Sequence, residues 1–195
     1  AIEMGLFGAK SMHPRALERA ADRKIPVRMK NTFNPQGPGT LISDDGGRPS
    51  EIIRSVLLVK DAGLINIQGA AMMGRPGTAA KILSLLAREL INVRMIILSV
   101  SEGGISLAVN GSQAAQSKAL LEANLLRTGD AREIQLIEKV SIVAVIGSYM
   151  RGYPGTAGRV FTAAGRAGVN IMAIAQGSSE LSISFIVKAE QGPDA

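Results

Sequence analysis

One stretch of this 195-residue chain occurs twice, and this repeat constrains the fold more than any other feature of the sequence. The first copy reads G-A-A-M-M-G-R-P-G-T-A at 69–79, and the second reads G-S-Y-M-R-G-Y-P-G-T-A at 147–157. The spacing holds without a gap well beyond the motif: when 63–109 is aligned with 141–187, 15 of the 47 positions are identical. A repeat of this length indicates one folded unit that is used twice.

Both copies predict the same order of elements. A strand leads into the Gly-rich loop, and Pro76 or Pro154 is expected to open a helix, because a missing N–H costs nothing at the first helical position. Apolar residues at helical spacing continue that helix, and two strands follow it. The order β-α-β-β is most of a ferredoxin-like module. The predicted strands are 64–67, 93–100 and 104–109 in the first copy, and 140–146, 171–177 and 181–188 in the second.

The two copies differ in how they are completed. A helix predicted at 112–126 and a strand at 133–137 finish the first copy, whereas the second has no further helix and strand after 188. An extra strand predicted at 52–60 precedes the first copy and has no partner within it. The economical interpretation is that this strand pairs into the second module. We therefore predict an α+β fold of two βαββαβ modules in tandem, one inserted in the other. The predicted divisions are a segment at 1–43, a polar linker at 44–51, a first module at 64–139, and a second module formed by 52–60 plus 140–195.

The Gly-rich loop suggests a binding role. Free backbone N–H groups at a helix N-terminus attract anions, and glycine lets a ligand approach the main chain closely. The carboxylate of an amino acid would suit such a loop. The structural alternative is that the glycines only make a tight turn between strand and helix. The glycines concerned are Gly74, Gly77, Gly152 and Gly155.

The repeated unit resembles a known family. A βαββαβ unit with a G-x-x-M-x-G-x-P-G-T-A loop, then N-V or N-I, then S-E before a short strand resembles the ACT domain, and two in tandem resemble the regulatory half of aspartate kinase. The resemblance also implies that one module is inserted in the other. It implies feedback inhibition by an end-product amino acid, either threonine or lysine, bound in one repeat. The implied effector-binding residues are Met72, Gly74, Arg75, Gly77, Asn92, Val93, Arg94, Ser101 and Glu102, and in the second repeat Asn170, Ile171, Gln176, Ser179 and Glu180.

Within that resemblance, the Ser-Glu pair is expected to help choose the effector's side chain. Glu102 could hold a lysine ammonium, but lysine-regulated relatives often add an acidic residue where this chain has Ile96. Lysine and threonine therefore both remain candidates. Either repeat could hold the effector. The binding site could lie within one chain or between two chains. A structural dimerisation module with empty loops is the alternative function, because the open sheet edges of such modules readily associate.

Residues 1–43 carry a second resemblance. Predicted helices at 3–10 and 14–22, and short strands at 25–29 and 40–42, are too few to bury a core. The motifs F-G-A-K-S-M-H-P-R (7–15), I-P-V-R (25–28), N-T-F-N-P (31–35) and G-T-L-I (39–42) resemble the end of the α/β catalytic domain of aspartate kinase. That domain phosphorylates the aspartate side chain to 4-phospho-L-aspartate, using ATP and Mg²⁺, at the start of lysine, threonine and methionine biosynthesis. The resemblance places Lys10 at the nucleotide with Ser11 beside it. His13, the single histidine, could serve as a catalytic base, but it is interpreted as a helix-start residue ahead of Pro14.

The composition argues against several classes of protein and of binding site. The chain contains no cysteine, which rules out disulfides and cysteine metal sites and fits a reducing compartment, so we expect a cytoplasmic protein. No apolar run is long enough to cross a membrane. The net charge of +6 comes from scattered basic residues without the exposed aromatics that stack bases, which argues against a nucleic-acid partner. We expect no metal and no cofactor in this chain. The expected partners are the effector, the rest of the kinase domain and a second copy of the chain.

We predict that this chain alone does not phosphorylate aspartate. Phosphoryl transfer needs a phosphate cradle, Mg²⁺ and a positioned nucleophile, and the sequence supplies at most one nucleotide contact. The purified chain, incubated with ATP, Mg²⁺ and aspartate, should form no aspartyl phosphate. Detectable ATP-dependent product would contradict the prediction.

Overall fold

The computed structural model describes residues 2–6, 13–43, 52–69, 76–99 and 103–195. The N-terminal segment contains α1 (Ile2–Leu6), α2 (Pro14–Asp22), β1 (Val27–Met29) and β2 (Thr40–Ile42). The first repeat contains β3 (Ser55–Gln68), α3 (Thr78–Arg88), β4 (Val93–Ser99), β5 (Gly104–Asn110), α4 (Gly111–Leu121) with a π-helical extension (Glu122–Leu126), and β6 (Glu133–Ile146). The second repeat continues from β6 through α5 (Thr156–Arg166), β7 (Ala173–Gln176), β8 (Ser182–Lys188) and a 3₁₀-helix (Ala189–Asp194).

The N-terminal segment forms two helices and a small hairpin. Helix α2 begins at Pro14 and ends at Asp22, as predicted. Strands β1 and β2 pair antiparallel, with Val27 opposite Ile42. The strand predicted from residue 25 begins only at Val27, because Pro26 has no N–H to donate to a ladder. Helix α1 covers part of the helix predicted at 3–10, and the remainder of that prediction lies outside the described residues.

The strands of both repeats form a continuous sheet with the order β4-β5-β3-β6-β8-β7. Within the first repeat, the order β4-β5-β3-β6 is that of a ferredoxin-like module. The second repeat has the same order in β7-β8-β6-β3, and the first half of β3 supplies its fourth strand. Residues 55–59 pair with 142–146, so the pairing predicted for the strand at 52–60 is observed.

Two strands are longer than the sequence predicted. The breaks predicted between 60 and 64 and between 137 and 140 do not exist, because β3 and β6 each run for 14 residues through both repeats. The polar pairs at these predicted breaks, Lys60-Asp61 and Glu138-Lys139, are exposed and lie where the ladder changes register. Asp61 and Lys139 adopt left-handed backbone angles there, with φ of 58° and 54°. Each strand thus carries a β-bulge that inserts one residue and reverses which face its later side chains occupy.

The helices after the Gly-rich loops begin later than predicted. Helices α3 and α5 begin at Thr78 and Thr156, two residues after Pro76 and Pro154. The residue before each helix is a glycine in the left-handed region, with φ of 91° at Gly77 and 84° at Gly155. A residue in that region cannot belong to a right-handed helix, so the prolines lie in the preceding turn.

Three apolar clusters hold the sheet and helices together. The first joins α3 and α4 to one face of β3 and β5, through Ile65, Leu86, Leu107 and their neighbours. The second does the same for α5, β6 and β8, around Phe185. A third cluster lies on the opposite face of the sheet and spans both repeats: it contains Ala62, Leu64, Met95, Ala108, Val140, Ile142 and Ile186. The outer strands β4 and β7 contact each other, so the sheet curls around this third cluster.

The C-terminal 3₁₀-helix covers part of the sheet face formed by β3 and β6 in the second repeat. A side chain at Gly192 would lie 3.1 Å from Leu58 and 3.3 Å from the hydroxyl of Ser141, so this turn packs directly against β3 and β6. Val56 stays 56% exposed. The 3₁₀-helix therefore covers this face only in part.

We predict that Gly63→Ala destabilises the protein. Helix α4 packs so closely on β3 at Gly63 that an added Cβ would lie 2.5 Å from the Cβ of Ala114. Overpacking of this kind costs about 1–3 kcal/mol in unfolding free energy, which urea denaturation measures. Gly165→Ala in α5 is the control, because no atom lies within 4 Å of its Cβ position. Equal unfolding midpoints for the two variants would contradict the packing argument.

Candidate functional site

The structure describes the site residues predicted in the second repeat and only some of those in the first. Asn92, Val93 and Gly77 are described, as is Arg94. The other residues predicted at functional positions lie outside the described residues: Lys10, Ser11, Met72, Gly74, Arg75, Ser101 and Glu102. The whole loop is therefore described only in the second repeat.

Both loops start at the same place relative to the Ser-Glu pair. The amide of Gly69 donates to the carbonyl of Gly103 at 3.4 Å, directly after the pair in the first repeat. The amide of Gly147 donates to the carbonyl of Leu181 at 3.0 Å, directly after the pair in the second. Backbone bonds at one register thus hold the first glycine of each loop beside the residue that follows its Ser-Glu pair, although these residues lie over 30 positions apart in sequence.

The second loop is anchored by its first glycine and its methionine. A Cβ at Gly147 would lie 2.1 Å from the carbonyl oxygen of Ile52, so only glycine fits there. Met150 is 3% exposed and packs in the second apolar cluster. Its amide donates to Gly147, and the amide of Tyr153 donates to Met150, which makes two successive turns. The methionine of the motif therefore serves the core in this repeat, a role that the sequence prediction for Met72 did not include.

The glycine before each helix has a structural role. Gly77 and Gly155 lie at the N-caps of α3 and α5 with left-handed φ angles, and no side chain forms a cap hydrogen bond there. The hydroxyl of Thr156 donates to the carbonyl of Tyr153 at 3.1 Å and so ties the loop to the helix. The structural alternative for these two glycines, a tight turn between strand and helix, is thus an observed property of both loops.

The Ser-Glu turn of the second repeat reaches the loop. Glu180 follows a turn in which its amide donates to the carbonyl of Gly177 at 3.0 Å, and its own φ is 55°. One oxygen of its carboxylate, Oε2, accepts a hydrogen bond from the amide of Gly152 at 2.8 Å. The structure therefore brings together the predicted loop glycine and the predicted glutamate, and bonds them to each other. Ser179 beside them is exposed.

The segment after each helix contains one polar residue that is exposed and one apolar residue that packs in the core. Asn92 and Asn170 are exposed, whereas Val93 and Ile171 pack against the first and second apolar clusters. The apolar side chains are thus committed to the core, and only their main-chain groups are available for recognition. Arg94 is exposed on β4, and Gln176 is exposed at the end of β7.

A polar cluster that the sequence reasoning missed lies beside the first loop. The ammonium of Lys81, in α3, lies 2.5 Å from Oδ2 of Asp130, and the hydroxyl of Thr128 donates to the same oxygen at 2.6 Å. A Cβ at Gly69 would lie 3.1 Å from the carbonyl oxygen of Asp130, so this turn adjoins the start of the loop. The T-G-D sequence at 128–130 is a recognisable turn signal, but its partner is 49 residues away and no local pattern points to it.

A cavity of about 790 Å³ separates the N-terminal segment from the second repeat. Leu17, Ile25 and Val27 line one side, and Gly147, Ser148 and Leu181 line the other, together with further residues of both parts. The backbone bond that starts the second loop therefore forms part of the cavity wall.

Neither a metal-binding cluster nor a membrane-spanning helix occurs within the described ranges. No group of three or more His, Asp or Glu side chains there is arranged to hold a metal ion. No helix in that part of the chain combines the length and the apolar character needed to cross a membrane.

The fold and the loops define a tandem pair of ferredoxin-like modules with two equivalent Gly-rich loops. The family model of the ACT domain matches residues 65–125 and 143–195. The chain therefore belongs to the ACT domain family, and its sequence is homologous to the regulatory regions of aspartokinases.

Similar proteins support this assignment. The bifunctional aspartokinase/homoserine dehydrogenase of Haemophilus influenzae is 35% identical over 198 residues, which cover 100% of this chain and 24% of that protein. The chain thus spans about a quarter of that relative. The crystal structure of Clostridium acetobutylicum aspartate kinase superposes with a TM-score of 0.85 at 27% identity, covering 97% of this chain and 43% of that one. That of E. coli aspartokinase III in complex with lysine and aspartate has a TM-score of 0.75 at 28% identity and covers 98% and 42%.

We predict that Gly155→Ala destabilises the protein in the absence of any ligand. The left-handed φ of 84° disfavours a Cβ by about 1–2 kcal/mol, even though no atom lies within 4 Å of its position. Gly77→Ala should cost a similar amount. The control is Gly158→Ala, three residues along the same helix, which should stabilise by up to about 1 kcal/mol. Thermal unfolding of the three variants measures the difference, and an unchanged melting temperature for Gly155→Ala would contradict the backbone argument.

Proposed function

We propose that this chain is the amino-acid-binding regulatory region of an aspartate kinase, and that an end product, threonine or lysine, binds to it and inhibits the kinase. The observation that carries the proposal is the backbone bond that joins the first glycine of each loop to the residue after its Ser-Glu pair, Gly69 to Gly103 and Gly147 to Leu181. In the second repeat, the hydrogen bond from Gly152 to Glu180 also brings a loop donor to the glutamate of the pair, and we propose the same arrangement for the first repeat. The lysine in the similar aspartokinase III structure supports an amino acid as the ligand.

The proposed binding mode divides the effector into a common part and a variable part. Loop donors at 72–77 would bind the carboxylate that all amino acids share, with main-chain groups of Asn92 and Val93 beside it. Ser101 and Glu102 would contact the side chain, where Glu102 can pair with a lysine ammonium and Ser101 can bond a threonine hydroxyl. In the second repeat, Asn170, Ile171, Gln176, Ser179 and Glu180 occupy the corresponding positions.

For the intact protein we propose the aspartate kinase reaction. ATP and Mg²⁺ would phosphorylate the aspartate side chain on a catalytic domain of which 1–43 is the end, with Lys10 and Ser11 at the nucleotide. We propose 44–51 as the linker, 64–139 as the first module, and 52–60 plus 140–195 as the second. A cytoplasmic location is proposed because the chain has no cysteine.

Inhibition needs a route from the repeats to the kinase segment. The cavity between them offers one, because Gly147, Ser148 and Leu181 line it opposite α2 and the β1–β2 hairpin. A shift of the second loop would alter this shared wall. The effector would inhibit only to the extent that its affinity differs between active and inactive arrangements of the whole protein.

The alternative is a structural dimerisation module with no effector. It is less well supported, because a similar solved structure holds an amino acid. Self-association is nevertheless part of our proposal. The outer strands β4 and β7 each pair on one side only, and they expose Leu98 to 61%, Ile174 to 45% and Ile96 to 39%. Although β4 and β7 contact each other, these side chains remain exposed, and exposed apolar side chains on edge strands favour pairing with a second copy.

We predict that the chain dimerises through these edges and that Leu98→Lys weakens the dimer. A charge on an apolar edge opposes burial there. Light scattering at micromolar concentration should give twice the monomer mass for the wild type and a lower mass for the variant. Leu41→Lys, in the N-terminal hairpin and 52% exposed, is the control and should leave the mass unchanged. A monomeric wild type would rule out this interface.

We predict that threonine or lysine binds the wild type and that one Ser-Glu pair is required. Ser101→Ala with Glu102→Ala, or Ser179→Ala with Glu180→Ala, should lower the affinity. Loss of one charge-assisted hydrogen bond costs about 1.5–3 kcal/mol, or roughly ten- to hundredfold in Kd. Titration calorimetry of both amino acids with all three chains measures this.

The control for that experiment is Ser84→Ala with Glu89→Ala, an exposed serine and glutamate near the end of α3 that should bind like the wild type. If neither amino acid binds the wild type at millimolar concentration, the structural alternative gains. If binding survives in both Ser-Glu variants, the effector lies elsewhere.

A further inference from the structure

Glu180 has a backbone conformation that its side chain disfavours. Its φ of 55° lies in the left-handed region, where the Cβ crowds the following carbonyl and glycine is the usual residue. The turn that holds it there is closed by the bond from its amide to Gly177. A glycine at this position would form the same turn without strain, so the turn alone does not account for a glutamate.

The glutamate side chain reaches back 28 residues to the Gly-rich loop. Its Oε2 accepts the amide hydrogen of Gly152 at 2.8 Å, a bond strengthened by the negative charge of the carboxylate. Gly152 has a φ of 67°, and no atom lies within 4 Å of its Cβ position. The left-handed backbone at Glu180 thus directs its carboxylate to the amide of Gly152. The space around the Cβ position of Gly152 is otherwise empty within 4 Å.

We propose that Glu180 is a resident carboxylate of the second loop, and that it occupies the donor which the carboxylate of a free amino acid would need. The inference rests on the proposed function in assuming that these loops recognise carboxylates. Two carboxylates cannot share the one amide hydrogen, and their like charges repel. A free carboxylate therefore binds at Gly152 only after Glu180 leaves, and Glu180 is a positioning residue that closes the loop in the ligand-free chain.

The direct test measures the hydrogen-exchange rate of the Gly152 amide by NMR in the intact chain. Glu180→Gly removes the carboxylate and also relieves the backbone, so this variant should remain folded, which its melting temperature checks. The exchange rate of Gly152 should rise about ten- to hundredfold, the value of a charge-assisted hydrogen bond. Glu180→Gln keeps the shape of the side chain and should show a smaller rise. Ser178→Ala in the same turn is the control and should leave the rate unchanged. Unaltered exchange at Gly152 in Glu180→Gly would overturn the proposal.

A second arm tests whether the donor is closed to other carboxylates, with acetate as the probe. Acetate should shift the Gly152 amide resonance in Glu180→Gly and leave it unmoved in the wild type at the same concentration. Equal shifts in both chains would overturn the proposal, because the donor would then be free in the wild type. Shifts in neither chain would also overturn it, because the vacated loop would not be a carboxylate site. Calorimetry with threonine and lysine is a separate measurement, so failure of the proposed function is distinguished from failure of this inference.

Discussion

The backbone ladder between β3 and β6 is the interaction on which both repeats depend. These two 14-residue strands pair antiparallel from Ser55 opposite Ile146 to Gln68 opposite Glu133. One half of the pair supplies the two central strands of the first module, and the other half supplies two strands of the second. Neither module has its full set of four strands without this pair. Unfolding of one module would leave buried strand of the other without a partner, so we expect the two modules to unfold together.

The two β-bulges make this sharing possible. A strand that passes through two modules must keep its apolar side chains toward the helices in each, and a single uninterrupted period of two does not satisfy both. One extra residue in each strand, next to Asp61 and Lys139, resets the alternation at the junction. Val59 and Leu64 lie five residues apart and would occupy opposite faces of a regular strand. With the bulge between them, both face the third cluster. The exposed polar residues at the bulges are consistent with their position at the module boundary.

The same framework sets the geometry of the two loops. The first glycine of each loop follows a central strand, and the residue after each Ser-Glu pair precedes the neighbouring strand, so the ladder between these strands fixes the distance between the two positions. The amides of Gly69 and Gly147 make equivalent bonds for this reason. What differs between the repeats is the local chemistry, such as the turn around Asp130 beside the first loop and the carboxylate of Glu180 in the second.

Much of this protein was determined by its sequence alone. The repeat, the α+β class, the module order and the pairing of 52–60 follow from self-similarity and apolar periodicity, which are local properties of the chain. The continuity of β3 and β6 was not predictable, because the polar pairs at the bulges resemble breaks until a partner strand is in place. The late start of α3 and α5 depended on the φ angles of Gly77 and Gly155, which cannot be read from the amino-acid sequence. The Lys81–Asp130 and Glu180–Gly152 contacts join residues 49 and 28 positions apart. Only the tertiary structure decided them, because hydrogen bonds act over about 3 Å and carry no periodic signal in the sequence.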